Sequence, residues 1–226
     1  MTDIAIYAEG GGDTTHQKAE LRQGFDGLLK AEKSHAQEKR IGWKLICCGA
    51  RQAAYEAFIN AVEQFPDTIN VLLVDSEEPI AALSGDEKKD AATGVAHLMR
   101  HDQWKLAKVQ PTRIHLMAQC MEAWIVADPE ALAAFYGQHF GKNHLPVRQN
   151  LEDEPKQNIY AKLNRATSDR NISKGQYGKI KHASQLLKLL DPLKVANRCP
   201  RFQLIHAWLH ATIEAAAEDN LKKRRR

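Results

Sequence analysis

The chain has 226 residues, 43% hydrophobic and 27% charged, which is enough for one large domain or a domain with a helical extension. No apolar run approaches a membrane span, and the N-terminus lacks the basic-then-apolar layout of a signal peptide, which argues against a membrane or exported class. The net charge of +4 is a property of the last residues. Removing Lys222, Lys223, Arg224, Arg225 and Arg226 from the 32 basic residues leaves 27 against 28 acidic ones, so the body is about neutral. The tail either contacts an acidic partner or is simply solvated. Cys47, Cys48, Cys120 and Cys199 form neither a CxxC pair nor a secreted disulfide framework, which points to a reducing cytoplasm.

Ile4 to Ala8 reads as a buried strand that passes abruptly into Glu9, Gly10, Gly11, Gly12 and Asp13. Glycines after a strand imply a tight turn into a helix, or a backbone held close to a phosphate or metal. No Lys-Ser or Lys-Thr follows them and position 15 is Thr, which excludes a phosphate-cradling P-loop and a dinucleotide fingerprint. Glu9 ends its strand at the edge where parallel sheets bind ligands, and is expected to hold a metal ion; the alternative is an exposed turn residue. A helix follows from His16 to about Lys33, with Leu21, Phe25, Leu28 and Leu29 at helical spacing. Trp43 to Cys48 is a second strand. Arg51 to Phe65, carrying Tyr55, Phe58, Ile59 and Val62 on one stripe, is an amphipathic helix. Ile69 to Val74 is a third strand. The alternation predicts an α/β fold with a mostly parallel sheet.

The third strand runs into Asp75, Ser76, Glu77 and Glu78. In extended backbone Asp75 and Glu77 point the same way, at the edge that also carries Glu9. Three such carboxylates make a hard-oxygen site for Mg²⁺ or Mn²⁺, and left empty they would raise one another's pKa. Ser84 to Asp90 reads as a polar loop and Ala92 to His101 as a short helix, on which His97 and His101 lack a carboxylate or cysteine partner for zinc. Pro111 to Met117 is a fourth strand. Glu122 falls in the first turn of the next helix, where an acid is favourable in any case. Asp128-Pro129-Glu130 is a good helix start, so Asp128 reads as a cap.

Beyond Gly137 the character changes. Residues 142–181 hold Lys142, Arg148, Lys156, Lys162, Arg165, Arg170, Lys174, Lys179 and Lys181 against only Glu152, Asp153, Glu154 and Asp169. Such an excess beside an acidic cluster suits a polyanion. Within it, Lys174-Gly175-Gln176-Tyr177-Gly178-Lys179 places two lysines around a glycine-flanked turn, where either could offset charge at a phosphate, or be solvated. Ile180, Ala183, Leu187 and Leu190 form one apolar stripe, and Phe202, Ile205, Leu209 and Ile213 another; His206 and His210 flank the latter without an evident role. The chain divides into an α/β part over 1–137, a helical extension over 138–221 and a basic tail over 222–226.

A carboxylate after the first strand, glycines, and an acid-x-acid pair after the third resemble the TOPRIM domain of topoisomerases, primases and nucleases. Tyr7-Ala8-Glu9-Gly10, Leu73-Val74-Asp75-Ser76-Glu77, Met121 to Asp128 and Lys174 to Lys179 look more closely like the prokaryotic domain-of-unknown-function family four-two-seven-six, over nearly the whole chain. The resemblance implies a TOPRIM-like (Rossmann-like) four-stranded sheet with flanking helices. It also implies a metal-dependent nuclease, often encoded beside an ABC- or AAA-type ATPase in defence islands. On that resemblance Glu9, Asp75 and Glu77 match the acidic motif, Glu122 and Asp128 additional metal-binding acids, and Lys174 or Lys179 the lysine. Glu77 departs from the usual second aspartate. The expected chemistry is Mg²⁺- or Mn²⁺-dependent hydrolysis of DNA or RNA. The alternatives are a non-catalytic subunit docked on an ATPase and a small-nucleotide phosphatase or transferase.

Overall fold

The computed structural model describes residues 2–224, the side chain of Arg224 excepted; Arg225 and Arg226 of the basic tail lie outside the described residues. Strands β1 (Asp3–Ala8), β2 (Gly42–Cys47), β3 (Ile69–Asp75) and β4 (Ile114–Met117) pair in the order β2-β1-β3-β4, all parallel. The near-continuous apolar run of β3 has a simple cause, because both faces of the sheet are covered. Val71 and Leu73 enter the core on one face, and Leu72 and Val74 that on the other.

Helices α1 (Thr15–Leu28) and α2 (Lys30–Glu38) cover the first face, through Leu21, Phe25, Leu28 and Ala36. Helices α3 (Arg51–Gln64) and α4 (Glu87–His101) cover the second, through Ala54, Phe58, Val95 and Leu98. The single helix expected from His16 to Lys33 is therefore two. The chain leaves helical geometry at Leu29 (φ −97°, ψ 27°) and resumes to Glu38. Helix α4 begins five residues before the expected start. Asp86 caps it by accepting from the Lys89 N–H at 3.0 Å, and Asp90 folds the polar run back by accepting from Ser84 and Gly85. The start of the expected fourth strand, Pro111–Arg113, is a 3₁₀ turn leading into β4.

The remainder is helical: α5 (Glu122–Val126), α6 (Pro129–Tyr136), α7 (Lys156–Ala166), α8 (Lys179–Leu187), α9 (Pro192–Arg198) and α10 (Pro200–Arg224). Residues on both sides of Gly137 share the first core. At its centre Trp124 takes the edges of Phe25 (6.4 Å between centroids) and Phe202 (4.9 Å). Helix α8 crosses α1 at Gly24, where a Cβ would come within 2.8 Å of the Ser184 carbonyl oxygen. Phe202, Ile205, Leu209 and Ile213 are buried as their spacing predicts, whereas Ile180 is 46% exposed and lies over Gly12. Among the described residues no helix is long and apolar enough to cross a membrane.

Candidate functional site

Crossover connections of one hand bring the C-terminal ends of β1 and β3 side by side. Glu9 follows β1 directly, its N–H still bonded to the Leu73 carbonyl at 2.9 Å, and Asp75 is the last residue of β3. Carboxylate oxygens of Glu9, Asp75 and Glu77 lie within 4.8 Å of one another. Glu77 reaches this point differently from the expectation. The backbone is not extended there: a three-residue turn, closed by the Glu78 N–H on the Ser76 carbonyl at 2.7 Å, holds Glu77 at φ 63°. A left-handed glutamate carries strain, and the turn aims its side chain back at the two strand-end acids.

Charge around the three acids is balanced by side chains from distant parts of the chain. Arg51, at the start of α3 beyond β2, donates to Glu9 at 3.1 Å, to the Asp75 carbonyl, and through its other nitrogens to Asp102 at 2.7 and 2.8 Å. Lys156, which opens α7, donates to Glu77. Lys179, which opens α8, stands 3.6 Å from Asp75 and 3.7 Å from Glu122. Asp75 is 1% exposed and accepts the Met121 N–H at 2.8 Å. Its burial raises it to about 7; Lys179 works in the opposite direction, and the Glu9 and Glu122 charges reinforce the rise. Burial opposes the Lys179 ammonium, but Asp75, Glu122 and Glu9 more than offset this and hold it above the ordinary lysine value.

Glu122 is fully buried behind Lys179. Its two oxygens accept the Tyr160 hydroxyl at 2.7 Å and the Tyr177 hydroxyl at 3.0 Å, and both phenols are raised by burial and by this carboxyl. It acts on the rim through the shared lysine and is not one of the three convergent acids. Asp128, matched to a metal ligand by resemblance, is not brought to the rim. It caps α6 by accepting from Ala131 at 3.2 Å and ties that helix to α9 by accepting from the Asp191 N–H at 3.0 Å and Lys194 at 2.9 Å. Lys174 also lies elsewhere, its ammonium 4.8 Å from the centre of the Phe135 ring. Of the two lysines of the turn, Lys179 alone meets the acids.

The glycines after β1 take positive φ throughout Gly10, Gly11 and Gly12. Gly10 exchanges two backbone bonds with Gly49, at 2.8 and 2.9 Å, and a Cβ on Gly11 would approach the Lys18 Cα to 2.9 Å. The turn and its packing on α1 account for these glycines without a ligand. His97 and His101 stack in parallel, with His97 Nε2 engaged by the Ser76 carbonyl at 2.8 Å and His101 meeting Asp102 at 3.1 Å, and among the described residues they do not belong to a convergent group of three donors.

Arg51, Asp102, Lys156 and Tyr160 are absent from the sequence-based set. Arg51 had a signal, because it follows the end of β2, the strand beside β1, and so sits on the same rim. Lys156 had none: 79 residues separate it from Glu77.

A family profile described as a domain of unknown function, DUF4276, matches residues 8–210. No curated protein and no solved structure matches the chain. Covering most of the sequence and all three convergent acids, the match settles the family: the chain belongs to DUF4276.

Proposed function

We propose that this protein is a divalent-metal-dependent nuclease that hydrolyses phosphodiester bonds of DNA or RNA. The observation that carries this is the meeting of Glu9, Asp75 and Glu77 within 4.8 Å at the ligand-binding edge of a parallel sheet. Three carboxylate donors suit Mg²⁺ or Mn²⁺. The rise of Asp75 to about 7 comes first from burial, with the Glu9 and Glu122 charges adding to it, and a bound cation would reverse it. A divalent cation bound there supplies Lewis acidity that activates water and withdraws charge from a phosphate. The chain's own residues do the rest. Glu9, fixed by Arg51, either completes the ligand set or instead accepts a proton, and Lys179 faces charge developing on a phosphate oxygen. Lys156 must leave Glu77 when a cation takes its carboxylate. An effector role in cytoplasmic antiviral defence, beside an ABC- or AAA-type ATPase, rests on the resemblance of the quoted motifs alone.

A non-catalytic subunit is the second reading, favoured by one observation: Arg51 already pairs with Glu9 and Lys156 with Glu77. The two separate in a cleavage assay on DNA and tRNA with Mg²⁺ or Mn²⁺. A nuclease loses at least about 100-fold in rate in Asp75→Asn and Glu9→Gln. Equal rates in wild type and both variants remove the catalytic assignment.

A further inference from the structure

A second group of donors lies away from the acidic rim, where α2 packs against α10. His210 and Glu214 stand four residues apart on α10, on one helix face, and His35 meets them from α2. One donor atom from each lies within 4.8 Å of the other two. The His35 and His210 rings stack with centroids 4.7 Å apart and planes 11° from parallel. His35 Nε2 meets Oε1 of Glu214 at 2.7 Å.

The surroundings hold these groups in place. Lys39 donates to the other oxygen of Glu214 at 2.8 Å, which leaves Oε1 facing the two imidazoles. Orientation of a ligating carboxylate by an outer hydrogen bond is a regular feature of metal sites. One turn away, His206 meets Glu32 at 2.5 Å and keeps the same two helices in register. An ion pair between His35 and Glu214 accounts for two of the groups. It does not account for the His210 ring stacked beside them.

We infer that His35, His210 and Glu214 form a binding site for a borderline divalent metal of the Zn²⁺ class, which clamps α10 onto α2. Two imidazole nitrogens and one carboxylate oxygen match Zn²⁺, whereas Mg²⁺ demands an octahedron of hard oxygens. Donors around a tetrahedral ion stand roughly 3.3 Å apart, so loading needs His35 and Glu214 to separate slightly and the exposed His210 ring to turn out of its stack towards the ion. Three protein ligands would leave a fourth position to water.

The test is calorimetric titration of the full chain with Zn²⁺ in excess Mg²⁺, on wild type, His210→Ala, Glu214→Gln and Asp75→Asn. His210 is exposed, so its truncation leaves the core intact, and thermal melts of the metal-free variants check this. The site predicts about one Zn²⁺ per chain, retained in Asp75→Asn and weakened at least about tenfold in both seam variants. It also predicts a melting temperature raised by Zn²⁺ in wild type but not in His210→Ala. Absence of saturable Zn²⁺ binding overturns the inference. So does binding that survives both seam substitutions, or binding that disappears in Asp75→Asn.

Discussion

Lys156 decides how the acidic rim behaves without a cation. Its ammonium lies on Glu77, the one rim acid held by a strained turn rather than by a strand, and the two side chains are 20% and 30% exposed. A partly exposed pair of this kind is worth about 0.5–1 kcal/mol, and an incoming cation must displace it. Lys156→Met therefore strengthens Mn²⁺ binding severalfold in a calorimetric titration. Unchanged or weaker binding in that variant means that Glu77 is not a ligand. Lys179 differs from Lys156, because it is shared between Asp75 and the buried Glu122.

At the scale of elements, Asp128 and β4 each give a consequence independent of any metal. Asp128 caps α6 and anchors α9, so Asp128→Ala removes a helix cap and leaves Lys194 without its buried partner. The expected cost is about 1–3 kcal/mol in urea unfolding, with Mn²⁺ affinity unchanged. A large loss of Mn²⁺ affinity with stability intact would restore Asp128 as a ligand. In β4, His115 is 6% exposed against Trp208, and burial lowers it to about 4 from the usual 6.5. The folded state keeps this imidazole neutral while the unfolded chain takes up a proton below about 6.5. Stability is thus fully present above that pH and lost as pH falls from 6.5 towards 4, by on the order of 3 kcal/mol. Urea midpoints across this window should fall less steeply in His115→Gln; identical slopes would contradict the assignment.

The elements that were legible in the sequence were those with strong periodicity or cap chemistry. The run of β3, the stripe of α3 and the Asp128-Pro129 start all read correctly, because each is specified by neighbours in sequence. The polar run before α4 misled, since the same Asp and Ser residues that favour loops also cap helices. Ile180 misled for a different reason: its spacing suits the core, but α8 turns it towards the glycine loop.

For the whole molecule, the basic excess over residues 142–181 is less available than composition suggests. Lys142 pairs with Glu130, Arg148 and Lys162 with Glu154, Lys156 with Glu77, and Lys179 with Asp75 and Glu122. Pairing of this sort is invisible in sequence, because the partners are set by how α7 and α8 fold back across the sheet edge. The convergence of Glu9 with Asp75 was legible, since parallel topology forces strand ends together. The internal counter-ions were not.

The central claim is that the three acids hold a divalent cation, and a crystal structure of the chain soaked with Mn²⁺ tests it most directly. The account predicts an anomalous peak contacting Glu9, Asp75 and Glu77, with the Lys156 ammonium moved off Glu77. A rim without density at saturating Mn²⁺, its Arg51–Glu9 and Lys156–Glu77 pairs intact, would contradict it.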